Sequence, residues 1–510
     1  MFQHLRVILA ILGLCLALPA TAQEAARHGP SPRDGVLRLL PEPVTTRHEL
    51  RLGERTLAYA ATAGTLPLRD ATGDPTAELF HVAYVAEPTD PRRPVTFVFN
   101  GGPGAASAFL NLGALGPRRV AFAPDGAYLP PPARLVDNGE SWLGFTDLVF
   151  VDPVGTGYSR AAVSAEEVQK RFYGVRQDAS AMAAFVRLWL ARAGRTLSPL
   201  FLVGESYGGF RAALLARSLP EEAGLSPSGL VLVSPALAFS LLQGQDDALL
   251  VPWAVTLPSF AATHLQRQRR LGTAELAQRL AEVERFALGD YLTALAKGSP
   301  SAEIAAKLGE ITGLSADIVD EARGRISATR FIREYAREQG RLLSRYDGMI
   351  DGPDPEPSSP RPSDPDPVLD RAVPVWTSAF VAHVREELGY RTDVTYRLLE
   401  PDVSGRWDYG TTPQRQGYAE AMSELHAGRA LNPALEVLVT HGYTDLVTPY
   451  MGSRYLLDQL PPLAGAVPVT FRVYEGGHMF YMAAAARRAF AEDAARLYAR
   501  ALADDEEGHP

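Results

Sequence analysis

Three side chains in this sequence have the types and the setting to turn an alcohol into a nucleophile. Ser206 stands in Gly204-Glu205-Ser206-Tyr207-Gly208, between an apolar run at 200–203 and an apolar-periodic segment at 210–219. A serine hydroxyl reacts poorly until a base takes its proton, and the base needs an acid to orient it. Asp445 follows the β-branched run 435–440, in His441-Gly442-Tyr443-Thr444-Asp445. His478 follows the run 469–474, in Glu475-Gly476-Gly477-His478. Residues just past the C-terminal ends of parallel strands share one rim, so serine, acid and imidazole can meet there. The chemistry is acyl transfer through a covalent serine intermediate. His441 is the rival base, nearer its strand end but ahead of the acid in the chain. Asp402 and Asp408 compete as acids, and neither follows a clear strand. Read alone, Asp445 fits a capping aspartate equally well, and His264, His383 and His426 fit structural roles in helical segments.

Acyl transfer also needs two aligned N–H groups for the oxyanion. Tyr207 N–H, immediately after the nucleophile, is one candidate. Gly102, in the loop Asn100-Gly101-Gly102-Pro103-Gly104 after the strand-like run 95–99, supplies the other. The pentapeptide G-x-S-x-G is not diagnostic by itself in a chain with 44 glycines. Its context is: a strand, a strained turn and a helix make the nucleophile elbow, which lifts the hydroxyl clear at a helix N-terminus.

The elements needed to place these residues are legible in outline. Runs 78–86, 95–99, 147–151, 200–203, 230–233, 435–440 and 469–474 read as strands. The later ones lack alternation, the pattern of strands buried on both faces of a mainly parallel sheet. Residues 48–62 alternate around a Gly-Glu turn and predict a hairpin. Helices are predicted at 175–193, directly after Ser206, and from Thr412-Pro413 to about 427. Strands alternating with helices define α/β architecture. Between about 240 and 405 the period becomes helical. Leu276, Leu280 and Val283 share a face, and Ser299-Pro300 opens a helix. The stretch 351–367, rich in Pro and Asp, reads as an exposed loop. The expected organisation is therefore a core from 23–239 and 406–510, ending in an acidic tail, with a mostly helical cap inserted at 240–405.

Across the 510 residues, 46% are hydrophobic and 21% charged, an ordinary globular composition. A net charge of −9 argues against a general nucleic-acid partner. Arg6, the short apolar stretch 7–18 and Ala20-Thr21-Ala22 read as a cleavable signal peptide over 1–22, with the mature chain starting at Gln23. Cleavage removes Cys15, the one cysteine, and with it any disulfide or thiolate metal site. None of Asn100, Asn111, Asn138 and Asn432 begins an N-x-S/T sequon. These features point to a bacterial periplasmic protein with no stable membrane insertion after cleavage. No H-E-x-x-H and no dinucleotide-type glycine loop occurs, so neither metal nor cofactor is implied.

With NGGPG (100–104), DPVGTGYSR (152–160), GESYGG (204–209), the post-strand Asp445 and GGH (476–478) in this order, the sequence closely resembles the serine carboxypeptidase family. ATAGTLPLRD (61–70), LGALGPRRV (112–120) and HGYTDLVTPY (441–450) resemble its bacterial branch. The resemblance implies an α/β-hydrolase fold, a mainly parallel mixed sheet flanked by helices with an inserted cap. It also implies release of C-terminal residues from peptides. Ser206 becomes nucleophile, His478 base, Asp445 orienter, and Gly102 and Tyr207 the oxyanion donors. Asn100, Gly101 and Glu205 fall where the family grips the peptide's terminal carboxylate, and 152–158 would line the cleft. Two positions depart from the pattern. Ala105 replaces a cysteine usual in eukaryotic members. Ala114 replaces a glutamate that pairs with the equivalent of Glu205, which leaves Glu205 less obliged to stay neutral. Arg118 or Arg119 is a candidate charge complement. The same machinery suits an esterase or acyltransferase, and a catalytically silent binding protein is the third reading.

Overall fold

The computed structural model describes residues 35–242, 248–359, 365–410 and 419–507. The signal segment, Cys15 and the predicted helix start at Thr412-Pro413 lie outside the described residues.

The strands of the central sheet are β1 (Val44–Leu52), β2 (Arg55–Arg69), β3 (Pro75–Ala86), β4 (Val95–Phe99), β5 (Asp147–Val151), β6 (Leu200–Glu205), β7 (Gly229–Val233), β8 (Glu436–Gly442) and β9 (Thr470–Tyr474). They pair in the order β1-β2-β3-β5-β4-β6-β7-β8-β9, with the two-residue strand Arg160–Ala161 beside β3. The first three strands form an antiparallel meander, joined antiparallel to β5. From β5 onward every pairing is parallel. The hairpin predicted at 48–62 is present and longer, because β2 runs on to pair with β3.

Strands β4 to β8 are buried at every position, as their unalternated apolar runs require. Successive side chains point to opposite faces. Phe150, Val203 and Leu438 pack with Trp142 and Phe490 on one side. Phe97, Leu202 and Val439 pack with Phe185, Trp189 and Leu215 on the other. Mainly parallel order with helices on both faces makes this an α/β-hydrolase fold.

Between β7 and β8 lie the helices Val251–Arg269, Thr273–Phe286, Ala302–Thr312, Ala316–Glu321, Ala328–Glu334 and Leu369–Ala382. The first five share a core of their own with Leu276, Leu280, Phe260 and Phe331, which continues onto Tyr443 and Tyr450 of the sheet domain. The helix predicted to open at Ser299-Pro300 starts later, at Ala302, because the Ser301 hydroxyl accepts from Ile304 N–H and caps it. The stretch predicted as exposed loop from 351 departs from that reading at its start. Asp351–Pro353 is a short strand paired with Arg341–Leu343, and Asp354 is buried against Arg333 at 2.5 Å. A proline at an edge-strand end is tolerated because no partner needs its missing N–H.

Candidate active site

Strand β6 carries Gly204 and Glu205 to its end, and the helix Tyr207–Ser218 begins immediately after Ser206. That leaves one residue to reverse the chain. Ser206 accordingly sits at φ 59° and ψ −121°, a strained backbone that surrounding contacts must hold. Its N–H donates to Val233 O at 2.9 Å. Strand and helix crowd so closely that a Cβ at Gly204 would lie 1.9 Å from Gly208 O.

The loop after β4 rests against this elbow. A Cβ at Gly101 would lie 2.7 Å from both Ser206 Cβ and Tyr207 N. Among the described hydrogen bonds, neither Gly102 N–H nor Tyr207 N–H has an acceptor within the protein. Helix N-termini leave such donors free, and their positive partial charge favours a developing oxyanion. Asp152 staples the loop's far end, accepting from Ser107 N–H and hydroxyl at 2.8 Å each. The segment 152–158, expected to line the cleft, is buried throughout.

Asp445 and His478 are brought together from the ends of β8 and β9. His478 Nδ1 lies 2.8 Å from Asp445 Oδ2. Asp445 also accepts from Val447 N–H at 2.8 Å, Thr448 N–H at 3.0 Å and the Thr448 hydroxyl at 2.8 Å. It is therefore a turn-capping aspartate and an imidazole partner at once. Burial pushes its carboxyl up, but His478 and these hydrogen bonds outweigh that and hold it below the ordinary aspartate value. Burial alone would lower the His478 imidazole, and the Asp445 carboxylate reverses this and raises it. His441 is engaged elsewhere, through Nδ1 with Thr448 O at 3.1 Å and Nε2 with Ser453 Oγ at 2.9 Å. Burial drops its pKa to about 4, which keeps it neutral at pH 7.

Among the described residues Ser206 Oγ makes no hydrogen bond to His478. The two are linked through β7's end: Ser206 N–H binds Val233 O, and the hydroxyl of Ser234 donates to His478 O at 2.9 Å.

Glu205 is buried beside the nucleophile. Asn100 Nδ2 donates to its Oε2, and the Tyr481 hydroxyl donates to Oε1 at 2.8 Å. Burial pushes this carboxyl up to about 7, against the lowering effects of His478, Tyr481 and Asn100. Neither arginine considered at 118–119 complements it: Arg118 pairs with Glu387 at 3.0 Å and with Asp137, and Arg119 Nη1 donates to Val120 O.

Several residues that support the site escaped sequence reasoning. Tyr346 O accepts from His478 N–H at 2.6 Å, Gly348 N–H donates to Thr444 O at 3.0 Å, and Asp347 Oδ1 accepts from the Thr444 hydroxyl at 2.7 Å. A strap from the inserted region thus pins the acid loop and the base loop together. Arg211, fully buried, binds Asp178 at 2.6 Å and Asn100 O at 2.9 Å, with its guanidinium over the Phe99 and Tyr207 rings. Only Tyr481, three residues past His478, carried a sequence signal, and that was proximity.

Sheet order and elbow define the α/β-hydrolase class. Residues 57–224 match the family model described as serine carboxypeptidase. That segment, which holds the NGGPG loop and Ser206, is thus similar to the serine carboxypeptidase family. The chain is similar to serine carboxypeptidase-like 44 of Arabidopsis thaliana, 32% identical over 32% of each chain. It is also similar to pheromone-processing carboxypeptidase KEX1 of Cryptococcus gattii, 39% identical over 17% of this chain and 13% of that one. The matches span about a third of the length of the Arabidopsis relatives. Among solved structures, VinJ is 14% identical, with 86% of this chain and 98% of that one covered and a TM-score of 0.35. Proline iminopeptidase of Mycobacterium smegmatis is 14% identical, with 90% and 99% covered and a TM-score of 0.34.

Proposed function

We propose that this protein is a serine carboxypeptidase that releases C-terminal residues from peptides through an acyl-enzyme. Ser206 attacks the scissile carbonyl, His478 takes its proton and returns it to the leaving amine, and Asp445 holds the imidazole tautomer. Gly102 and Tyr207 N–H groups receive the oxyanion. Asn100, Gly101 and Glu205 hold the terminal carboxylate, and Glu205 does so best when protonated, because two carboxylates repel. The observation that carries this reading is the buried His478–Asp445 pair, 2.8 Å apart, on the same rim as a serine held at φ 59°.

The test compares free-acid and C-terminally amidated peptides. A carboxypeptidase cleaves the first and spares the second, and Ser206→Ala abolishes the reaction. Equal rates on both, or faster turnover of small acyl esters alone, would overturn the reading. We further propose export to the periplasm with removal of 1–22. N-terminal sequencing of the protein from a periplasmic fraction should begin at Gln23.

A further inference from the structure

Glu205 ends strand β6 and His478 follows β9, and the Tyr481 side chain bridges the two segments. Tyr481 lies in the short turn Phe480–Met482, three residues past His478, and is fully buried. Its ring is packed so closely that a Cβ at Gly113 would lie 2.6 Å from Cε2. The ring cannot swing away without disturbing the helical turn that contains Gly113. Its hydroxyl reaches Glu205 Oε1 at 2.8 Å, one residue before Ser206.

We infer that Tyr481 is a positioning residue: its hydroxyl ties the His478 loop to the Glu205 carboxyl, so that gain or loss of a proton at Glu205 is felt at the serine–imidazole pair. This rests on the roles proposed above for Ser206 and His478. The groups facing Glu205 are few. Asn100 and Tyr481 bind it directly, the charges of His478 and Asp445 act on it, and it in turn acts on the Tyr346 phenol. Arg211 reaches the main chain of Asn100 and leaves the carboxylate alone.

The hydrogen-bond inventory shows how the link works. Ionised Glu205 accepts from both Asn100 and Tyr481, and all three groups are satisfied. A proton on Oε2 would meet the Asn100 amide, which is already a donor. The proton therefore sits on Oε1, and the carboxyl becomes the donor to Tyr481. The phenol must then turn its own hydrogen away, into a buried environment. Protonating Glu205 thus loosens or redirects the Tyr481 bond, a side-chain tie between the base loop and the elbow. The two states trade functions. The neutral carboxyl tolerates a peptide carboxylate, and the ionised one grips the loop more firmly.

Tyr481→Phe removes a single oxygen and keeps the packed ring. Two readouts decide the matter. The first is the Glu205 carboxyl itself, followed by infrared-detected titration and assigned by its loss in Glu205→Gln. With one donor to the anion gone, its midpoint should rise by about one pH unit, the equivalent of tenfold in the ionisation constant. The second is the rate at which a fluorophosphonate labels Ser206 at pH 8, a reaction that involves no peptide carboxylate. It should fall about tenfold as the imidazole loses its tether. An unchanged carboxyl midpoint overturns the inference, and so does a labelling rate equal to wild type. Absence of labelling in both proteins overturns it as well. If wild type labels normally but cleaves no free-acid peptide, the carboxypeptidase reading falls, and the two Tyr481 readouts still decide the inference.

Discussion

Tyr346 meets His478 twice, accepting its main-chain N–H at 2.6 Å and standing edge-on to the imidazole with ring centroids 5.5 Å apart. A residue from the inserted region therefore fixes both the height and the plane of the candidate base. Its neighbour Asp347 does the same for the acid loop through Thr444.

Asp347 gives this strap a pH dependence. Burial pushes its carboxyl from the ordinary 3.8 to about 6. The folded state binds this proton more tightly than the unfolded chain, so Asp347 costs stability progressively as pH rises from about 4 to about 6. Asp347→Asn stays neutral and keeps an acceptor for Thr444. Relative to wild type it should gain about 1–3 kcal/mol at pH 7 and nothing near pH 3. Tm measured against pH for both proteins checks this, and parallel curves would count against it.

Asp445→Asn should leave the turn in place, since an amide oxygen can still accept from Val447 and Thr448. It cannot hold His478 with Nδ1 protonated. The expected loss is about 10³–10⁴-fold in peptide kcat, with KM nearly unchanged and Tm within a few degrees of wild type.

Gly101→Ala places a methyl 2.7 Å from Tyr207 N, where the oxyanion would sit. The same methyl would lie 2.7 Å from Ser206 Cβ, so the elbow must shift as well, while Asp445 and His478 lie outside its nearest contacts. We expect kcat to fall about 10²–10³-fold, with the His478–Asp445 pair intact by NMR of the imidazole protons.

Arg211→Met strands Asp178, whose carboxyl burial already pushes up, without its cation. The expected destabilisation is about 3–5 kcal/mol. Arg211→Met combined with Asp178→Leu removes both charges and should recover much of it. Urea unfolding of the two variants separates lost pairing from lost packing, and a double variant no better than the single one refutes the pairing account.

Much of the sheet and the three candidate site residues were legible because their signals are local. An unalternated apolar run marks a strand buried on both faces, and glycines two before and two after a serine mark an elbow where Cβ atoms cannot fit. The choice between His478 and His441 was not local, since both follow strands. It turns on where β8 and β9 place each ring: His441 points to Ser453 and Thr448, and His478 to Asp445. The Arg118–Arg119 pair misled for the same reason. Adjacency in sequence to the Leu-Gly-Pro triplet says nothing about the direction taken by a long side chain, and Arg118 leaves towards Glu387.

By itself the sequence determined the α/β order, the elbow and the residue types able to carry acyl transfer, because backbone sterics and burial periodicity act over a few neighbouring positions. Only the tertiary structure decided what surrounds them: the strap at 344–350, the buried Arg211, and Tyr481 on Glu205. Those contacts join residues hundreds of positions apart, and packing in three dimensions chooses such partners without leaving a periodic trace in the chain.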